Sequence, residues 1–133
     1  MFRVKKPIFL VVDDEEALRT MMARCLGKYF GEAEVSTADN PDYACVVIEE
    51  LIRQDKRPDM VFTDFSMSPY GTGLPVIELC KKYGVPVVLV CSDKQDHKDF
   101  RTARELAGEN FIEKPVDGPG IKAMAERILC NKA

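Results

Sequence analysis

Short apolar runs alternate along this chain with longer stretches in which apolar residues recur every three or four positions. The runs have the length of buried strands, and the stretches have the spacing of helices that pack on one face. Alternation of this kind is typical of βα repeats built around a parallel sheet. The predicted strands are Ile8–Val12, Val35–Ala38, Met60–Thr63, Val85–Val90 and Phe111–Glu113.

Five helices are predicted, one after each strand. The first carries its apolar stripe over Leu18–Tyr29, and the second begins at Asn40-Pro41, where a capping side chain precedes a proline in the first turn. The third is short and ends at Gly84, and the fourth, Asp93–Ala107, has the weakest apolar face. The fifth carries its stripe over Ile121–Leu129.

Composition narrows the class of protein. A chain of 133 residues without an internal linker predicts a single domain over residues 1–133, with a full core and no output domain. The net charge of -3 and a pI of about 5.3 argue against nucleic acid or a membrane as the main partner. Because the first apolar run is short and ends in acidic residues, it predicts neither a signal peptide nor a membrane span, and we expect a cytoplasmic protein. Five scattered cysteines without a C-x-x-C pair indicate reduced thiols.

Charged side chains follow three of the predicted strands at the point where each strand ends. Asp13 and Asp14 follow the first strand, Asp64 follows the third, and Lys114 follows the fifth. Because the carboxyl ends of parallel strands open onto one edge of the sheet, we expect these side chains to meet there. Three carboxylates and one ammonium group would then form a site for a divalent cation and a phosphoryl group.

Each of these side chains has an expected chemical role. Asp64 stands alone at its strand end and is the expected nucleophile, which attacks phosphorus to give an acyl phosphate. Asp13 and Asp14, one at the strand end and one in the following turn, can converge on Mg²⁺, which prefers oxygen ligands. Without the cation, the carboxylates would repel one another and the incoming phosphate. Lys114 supplies a compact positive charge for the phosphoryl oxygens.

Each assignment also has a purely structural alternative. Asp13 and Asp14 could cap the first helix, whose positive N-terminus favours acidic residues. Asp64 could be an ordinary turn residue, and Lys114 could be a surface lysine before a turn proline. The presence of all four residues at successive strand ends favours the metal and phosphoryl site.

Taken in order, these segments resemble the receiver domain of two-component response regulators over essentially the whole chain. The matching segments are Val11–Glu15, Pro58–Asp64 with Met67 three residues later, Pro86–Val90 and Phe111–Pro115. The resemblance implies a flavodoxin-like, doubly wound α/β fold: a five-stranded parallel sheet in the order 2-1-3-4-5 with five flanking helices. It also implies transfer of phosphate from a sensor histidine kinase or phosphotransfer protein to Asp64. Such a chain is a signalling phosphoacceptor that catalyses only its own phosphorylation and slow dephosphorylation.

The resemblance adds several residues to the expected site. It implies that the backbone carbonyl of Ser66 is a further Mg²⁺ ligand and that Lys114-Pro115 is a cis peptide. Cys91 stands where the family usually has threonine or serine, and Ser92 replaces a usual alanine or glycine. We expect both residues to lie at the phosphoryl group, with Cys91 and Phe111 in the positions of the family's conformational switch.

The expected partners follow from the same resemblance. Phosphorylation should alter the face formed by the fourth helix, fifth strand and fifth helix, and with it the affinity for a downstream protein target. The resemblance also allows a homodimer, while nucleic acid and membranes are not expected partners of this chain.

Three alternatives remain at this stage. The chain could be a receiver cut from a longer regulator or hybrid kinase. A haloacid-dehalogenase-type phosphatase also uses a nucleophilic aspartate and Mg²⁺, but it needs Asp-x-Asp spacing, whereas Asp64 is followed by Phe65 and Ser66. A flavodoxin-like cofactor binder is disfavoured because the acidic run after the first strand would repel the cofactor phosphate.

Overall fold

Strands and helices alternate through the computed structural model, which describes residues 6–92 and 96–131. The strands are β1 (Ile8–Val12), β2 (Glu34–Ala38), β3 (Met60–Thr63), β4 (Val87–Cys91) and β5 (Phe111–Glu113). The helices are α1 (Glu16–Tyr29), α2 (Pro41–Arg53), α3 (Leu74–Tyr83), α4 (Phe100–Ala107) and α5 (Gly118–Cys130).

The five strands form one parallel sheet in the order β2-β1-β3-β4-β5. This order confirms the predicted flavodoxin-like, doubly wound fold. The register pairs Val12 of β1 with Thr63 of β3, so the two strands end side by side. The residues that follow them, Asp13 and Asp64, therefore leave the sheet at the same edge.

The sheet separates two apolar layers. Leu10 and Val12 pack on the side of α2, α3 and α4, whereas Phe9 and Val11 pack on the side of α1 and α5. Alternate residues of a strand point to opposite faces, so a strand covered on both faces must be apolar throughout. Every residue of β1, β3 and β4 is buried, so the residues that follow β1 and β3, Asp13 and Asp64, leave well-packed strands.

Side-chain and glycine caps mark several helix ends. The Asn40 side chain accepts the Tyr43 N–H at 2.8 Å at the start of α2, as its sequence predicts. Gly84, with a φ of 69°, ends α3 in the left-handed conformation that glycine favours. The Asp117 carboxylate accepts the Gly120 N–H at 2.9 Å at the start of α5. No helix in residues 6–92 and 96–131 is long and apolar enough to cross a membrane.

The predicted bounds of the fourth strand are wrong. β4 begins at Val87 rather than Val85 and continues to Cys91. The Val85 N–H is still bonded to the carbonyl of Cys80 at 2.8 Å, and Pro86 has no N–H to donate to a neighbouring strand. Cys91 is consequently the last residue of the strand rather than the first residue after it.

The predicted start of the fourth helix is also wrong. Residues 93–95 lie outside the described residues, and the following segment, 96–99, is non-helical and mostly exposed. α4 begins at Phe100, which packs on the core layer below. Because most helical stability in proteins comes from packing an apolar face, the polar residues before Phe100 gain little from a helical conformation.

Candidate functional site

Lys114 lies between two buried carboxylates at the edge where the strands end. Its Nζ is 3.1 Å from Oδ2 of Asp64 and 3.3 Å from Oδ2 of Asp13. The three residues follow β5, β3 and β1, and they are far apart in the sequence. The fold therefore brings together the three strand-end residues that the sequence analysis singled out.

Both the backbone and the side chain of Asp13 are hydrogen-bonded. Its N–H donates to the Ala38 carbonyl at 3.1 Å, and its carbonyl accepts from Nη1 of Arg19 at 2.9 Å. In the side chain, Oδ1 accepts the Glu15 N–H at 2.8 Å while Oδ2 faces Lys114. Asp13 thus stabilises the turn before α1 but does not cap the helix, because the N-cap residue is Glu15 and its side chain makes no cap hydrogen bond. The second oxygen of Asp13 belongs to the charged cluster.

Asp64 presents one of its two oxygens to Lys114. Oδ1 accepts the N–H of Phe65 at 2.7 Å, which fixes the carboxylate plane and directs Oδ2 toward the ammonium group. The hydroxyl of Thr63 donates to the Asp64 backbone carbonyl at 2.9 Å. With 6% of its surface exposed, Asp64 is buried but reachable from solvent.

The electrostatics of the cluster follow from burial. Desolvation raises the pKa of Asp64 from 3.8 to about 6, against the opposing effect of Lys114. Desolvation also raises the pKa of Asp13. For Lys114, desolvation lowers the pKa, but the carboxylates of Asp64 and Asp13 outweigh it and the pKa lies above its ordinary value. The positive charge of Lys114 therefore does not fully offset the cost of burying two ionised carboxylates.

Asp14 completes a carboxylate group that fits a divalent cation. Asp13, Asp14 and Asp64 each offer one ligand oxygen, and these oxygens lie within 4.8 Å of one another. Asp14 is exposed while the other two are buried, so the group opens to solvent on one side. A hard cation such as Mg²⁺ takes oxygen ligands and keeps several waters, and its positive charge would favour the ionised carboxylates that burial disfavours.

Ser66 lies in the loop after β3, two residues past Asp64. It pairs with Thr72 in an isolated antiparallel bridge, and the Met67 N–H donates to the Gly71 carbonyl at 2.9 Å. These bonds close the loop into a compact turn whose first residues adjoin the carboxylate cluster. The Ser68-Pro69 peptide in this loop is cis, and so is Lys114-Pro115, as the resemblance implies.

Burial differs among the three residues that the resemblance adds to the phosphoryl site and the switch, Cys91, Ser92 and Phe111. Cys91 is buried, and its carbonyl accepts the N–H of Lys114 at 3.1 Å, which ties the end of β4 to the lysine. Ser92 follows and is exposed. Phe111 lies at the start of β5, opposite Leu89, partly buried and covered by the Arg104 guanidinium 4.0 Å from its ring centroid.

Two residues that support the cluster are not singled out by the sequence analysis. Arg19 reaches back from α1 to the carbonyl of Asp13, and no helical spacing rule relates the two because the turn between them is irregular. Gly73 lies against the Asp64 backbone, where a Cβ would be 2.1 Å from the Asp64 carbonyl oxygen. Its only signal in the sequence is that it is a glycine after a loop, a feature that also suits many ordinary turns.

The strand order and this charged edge define the receiver class of two-component signalling proteins. Residues 9–126 match the model of the response regulator receiver domain, and the chain belongs to that family. Receiver domains are signalling phosphoacceptors rather than enzymes in the usual sense, bind Mg²⁺ at an acidic pocket and interact with kinases or effector domains. No curated protein sequence matches the chain significantly.

Three solved structures are among those similar to this chain. The receiver domain of a Clostridium thermocellum protein is 21% identical, with a TM-score of 0.71 over 95% of this chain and 96% of that one. The beryllofluoride-activated NtrC4 receiver dimer is 21% identical, with a TM-score of 0.75 over 95% and 98%. NtrX from Brucella abortus, solved with ATP, is 28% identical, with a TM-score of 0.75 over 96% of this chain and 28% of NtrX.

Proposed function

We propose that this chain accepts phosphate on Asp64 from a phosphohistidine of a sensor histidine kinase or phosphotransfer protein. In this reaction Oδ2 of Asp64 forms a bond to phosphorus while the bond from phosphorus to the donor imidazole nitrogen breaks. The electron pair stays on the imidazole, and Asp64 becomes an acyl phosphate. The chain then serves as a phosphorelay receiver, a single domain over residues 1–133.

The observation that carries the proposal is the position of Lys114 between two buried carboxylates. Its Nζ contacts Oδ2 of both Asp64 and Asp13 at 3.1 and 3.3 Å. A phosphoryl group on Oδ2 of Asp64 would place its oxygens at the ammonium group, where a preorganised positive charge stabilises developing negative charge. The Phe65 N–H holds the other oxygen of Asp64 at 2.7 Å, which supports Oδ2 as the attacking atom.

Asp13, Asp14 and Asp64 would hold Mg²⁺ together with the carbonyl of Ser66. When bound, the cation supplies Lewis-acid stabilisation of the phosphoryl oxygens and offsets the charge of the carboxylates. The support for this assignment is the carboxylate group itself, with its ligand oxygens within 4.8 Å and the raised pKa values of Asp13 and Asp64.

We further propose that phosphorylation changes the surface of α4, β5 and α5 that binds a downstream protein. Cys91 lies next to Lys114 through a backbone hydrogen bond, and Phe111 is on the adjoining strand two positions from the residue paired with Cys91. A shift of Lys114 toward a phosphoryl group would therefore act on the ends of β4 and β5. Ser92, exposed at the start of the β4–α4 loop, would contact the group, and a homodimer is a further mode of output.

The proposal is tested by phosphorylation with acetyl phosphate and Mg²⁺. Intact-mass measurement should show a gain of one phosphoryl group, and the gain should disappear in Asp64→Asn and on removal of Mg²⁺. Asp42→Asn, an exposed carboxylate in the first turn of α2, is the matched control and should be phosphorylated like the parent. Unchanged labelling of Asp64→Asn would overturn the assignment.

A further inference from the structure

The guanidinium group of Arg19 is bonded to the backbone of the charged cluster and not to any of its carboxylates. Nη1 of Arg19 donates to the carbonyl oxygen of Asp13 at 2.9 Å, across the turn that joins β1 to α1. Arg19 is half-buried in the second turn of a helix that otherwise presents its charged residues to solvent. Its side chain folds back over the turn that carries Asp13 and Asp14.

This bond fixes the peptide plane that joins the two carboxylate residues. The six atoms of a peptide unit are coplanar, so an oxygen held in place also fixes the direction in which the Asp14 Cα leaves Asp13. The next peptide, between Asp14 and Glu15, is held from the other side because the Glu15 N–H donates to Oδ1 of Asp13 at 2.8 Å. Asp14 is thus an exposed residue whose preceding and following peptides are both anchored.

Anchoring of this kind matters most for the exposed ligand. Asp13 and Asp64 are buried, and packing and Lys114 hold them, whereas Asp14 is exposed at the open side of the group. Adjacent residues of an extended chain point in opposite directions. Asp13 and Asp14 can therefore reach one cation only if the turn between them has one particular geometry, and Arg19 holds that turn.

We propose that Arg19 is a positioning residue for Mg²⁺, which sets the β1–α1 turn so that Asp14 and Asp13 bind the same cation. The inference rests on the proposed function, which supplies the cation. A positioning role and a purely electrostatic role of Arg19 have opposite consequences. A positive charge beside a cation site repels the cation, so its removal alone would tighten Mg²⁺ binding. Loss of the anchored turn would instead weaken it.

The test compares Arg19→Met and Arg19→Lys with the parent by titration of Mg²⁺, followed by NMR shifts and by calorimetry. Arg19→Met keeps the apolar stem but loses both charge and donor, and we expect Mg²⁺ to bind on the order of 10-fold more weakly. Arg19→Lys keeps a donor of similar reach and should recover part of the affinity. In the metal-free protein, the amide signals of Asp14 and Glu15 should broaden or shift in Arg19→Met.

Arg24→Met is the matched control, because Arg24 is an exposed arginine of the same helix. It removes the same charge and should leave Mg²⁺ affinity within about twofold of the parent. Urea unfolding of each metal-free variant shows whether it is folded under the titration conditions. If the Arg19→Met variant is too unstable for the titration, Arg19→Lys decides the question, because a positioning role predicts weaker binding there at unchanged charge.

The outcomes separate this inference from the proposed function. Tighter or unchanged Mg²⁺ binding in folded Arg19→Met, or unchanged binding in Arg19→Lys when Arg19→Met cannot be titrated, would overturn the positioning role and leave the proposed function intact. A parent chain that fails to bind Mg²⁺ would overturn both.

Discussion

Gly73 lies in direct contact with the backbone of Asp64. Its N–H donates to the carbonyl of Phe65 at 2.7 Å, and a Cβ on Gly73 would be 2.1 Å from the Asp64 carbonyl oxygen and 3.1 Å from Oγ1 of Thr63. The start of α3 therefore rests on the peptide that follows the expected nucleophile. No other residue type fits this contact without a shift of the backbone.

The substitution Gly73→Ala should consequently disturb both the fold and the site. We expect a loss of about 1–3 kcal/mol in the free energy of unfolding, because overpacking forces the backbone to move. Phosphorylation of Asp64 by acetyl phosphate should slow as well, since the displaced atoms belong to Asp64 itself. Urea unfolding and the rate of the mass gain measure the two effects.

Gly27→Ala serves as the control for Gly73→Ala in both measurements. Gly27 lies inside α1, and a Cβ there would meet nothing within 4 Å. The change should stabilise the protein by up to about 1 kcal/mol through helix propensity and leave phosphorylation unchanged. If Gly73→Ala behaved like Gly27→Ala, the contact would have no role in placing Asp64.

Removing one carboxylate from the cluster should change Mg²⁺ affinity and thermal stability in different ways. Asp14→Asn and Asp13→Asn should both weaken Mg²⁺ binding and slow phosphorylation, because each loses a charged ligand. The melting temperature of Asp14→Asn should stay equal or rise, since the change relieves repulsion among three close carboxylates. Mg²⁺ titration and thermal melts of the same samples measure both properties.

Glu126→Gln, on the exposed surface of α5, removes one negative charge outside the cluster and is the control for the global charge effect. It should bind Mg²⁺ like the parent. Normal Mg²⁺ affinity together with a much lower melting temperature in both aspartate variants would mean that Asp13 and Asp14 are structural caps only.

The raised pKa of Asp64 predicts how stability changes with pH in the metal-free protein. The carboxyl titrates near 3.8 in the unfolded chain and at about 6 in the folded one. Its contribution is therefore complete below a pH of about 4 and is lost as the pH rises through about 6. Relative to Asp64→Asn, the parent should lose on the order of 2 kcal/mol across this interval.

Urea unfolding of the parent and Asp64→Asn at several pH values, with a chelator present, measures this difference. Saturating Mg²⁺ should reduce the pH dependence, because a bound cation favours the ionised carboxylate. A difference between the two proteins that stays constant from pH 4 to about 7 would contradict the raised pKa of Asp64.

The thiol at Cys91 should make the conformational response to phosphorylation incomplete. A hydroxyl there would donate a charge-assisted hydrogen bond worth roughly 1.5–3 kcal/mol to the phosphoryl oxygen, whereas a thiol is a weak donor. If the active conformation is favoured by about 1–2 kcal/mol less, the ratio of active to inactive conformation falls by roughly 5- to 30-fold. Cys91→Thr should thus keep phosphorylation of Asp64 but enlarge the NMR shift changes between Ser92 and Lys114.

Ser92→Ala tests whether the neighbouring hydroxyl has taken over this contact. If it has, the shift changes caused by phosphorylation or beryllofluoride should shrink in that variant. Equal changes in the parent and in Cys91→Thr would show that position 91 plays no part in switching.

Much of the fold can be predicted from the sequence because the central strands are buried on both faces. Continuous apolar runs such as Ile8–Val12 and Met60–Thr63 have few alternatives to an interior parallel strand, and the charged residue after each run marks its end. The strand ends then fix the meeting of Asp13, Asp64 and Lys114 without any knowledge of helix packing.

The start of β4 and of α4 could not be predicted in the same way. The first depends on a hydrogen bond from Val85 back to Cys80, and the second on which residue first reaches the core, Phe100. The contacts of Arg19 with Asp13 and of Gly73 with Asp64 depend on the angles at which α1 and α3 leave the sheet edge. Such contacts are set by tertiary packing, and neither periodicity nor composition records them.

The single ammonium group among three carboxylates has a thermodynamic consequence. The cluster is left with a negative charge that one divalent cation would balance, and a phosphoryl group would then restore a negative charge beside that cation. Each addition makes the other more favourable, and linkage requires the coupling to be reciprocal. The phosphorylated chain should therefore retain its cation more tightly than the unmodified chain, and the availability of metal should shift the equilibrium between the two forms by the same coupling free energy.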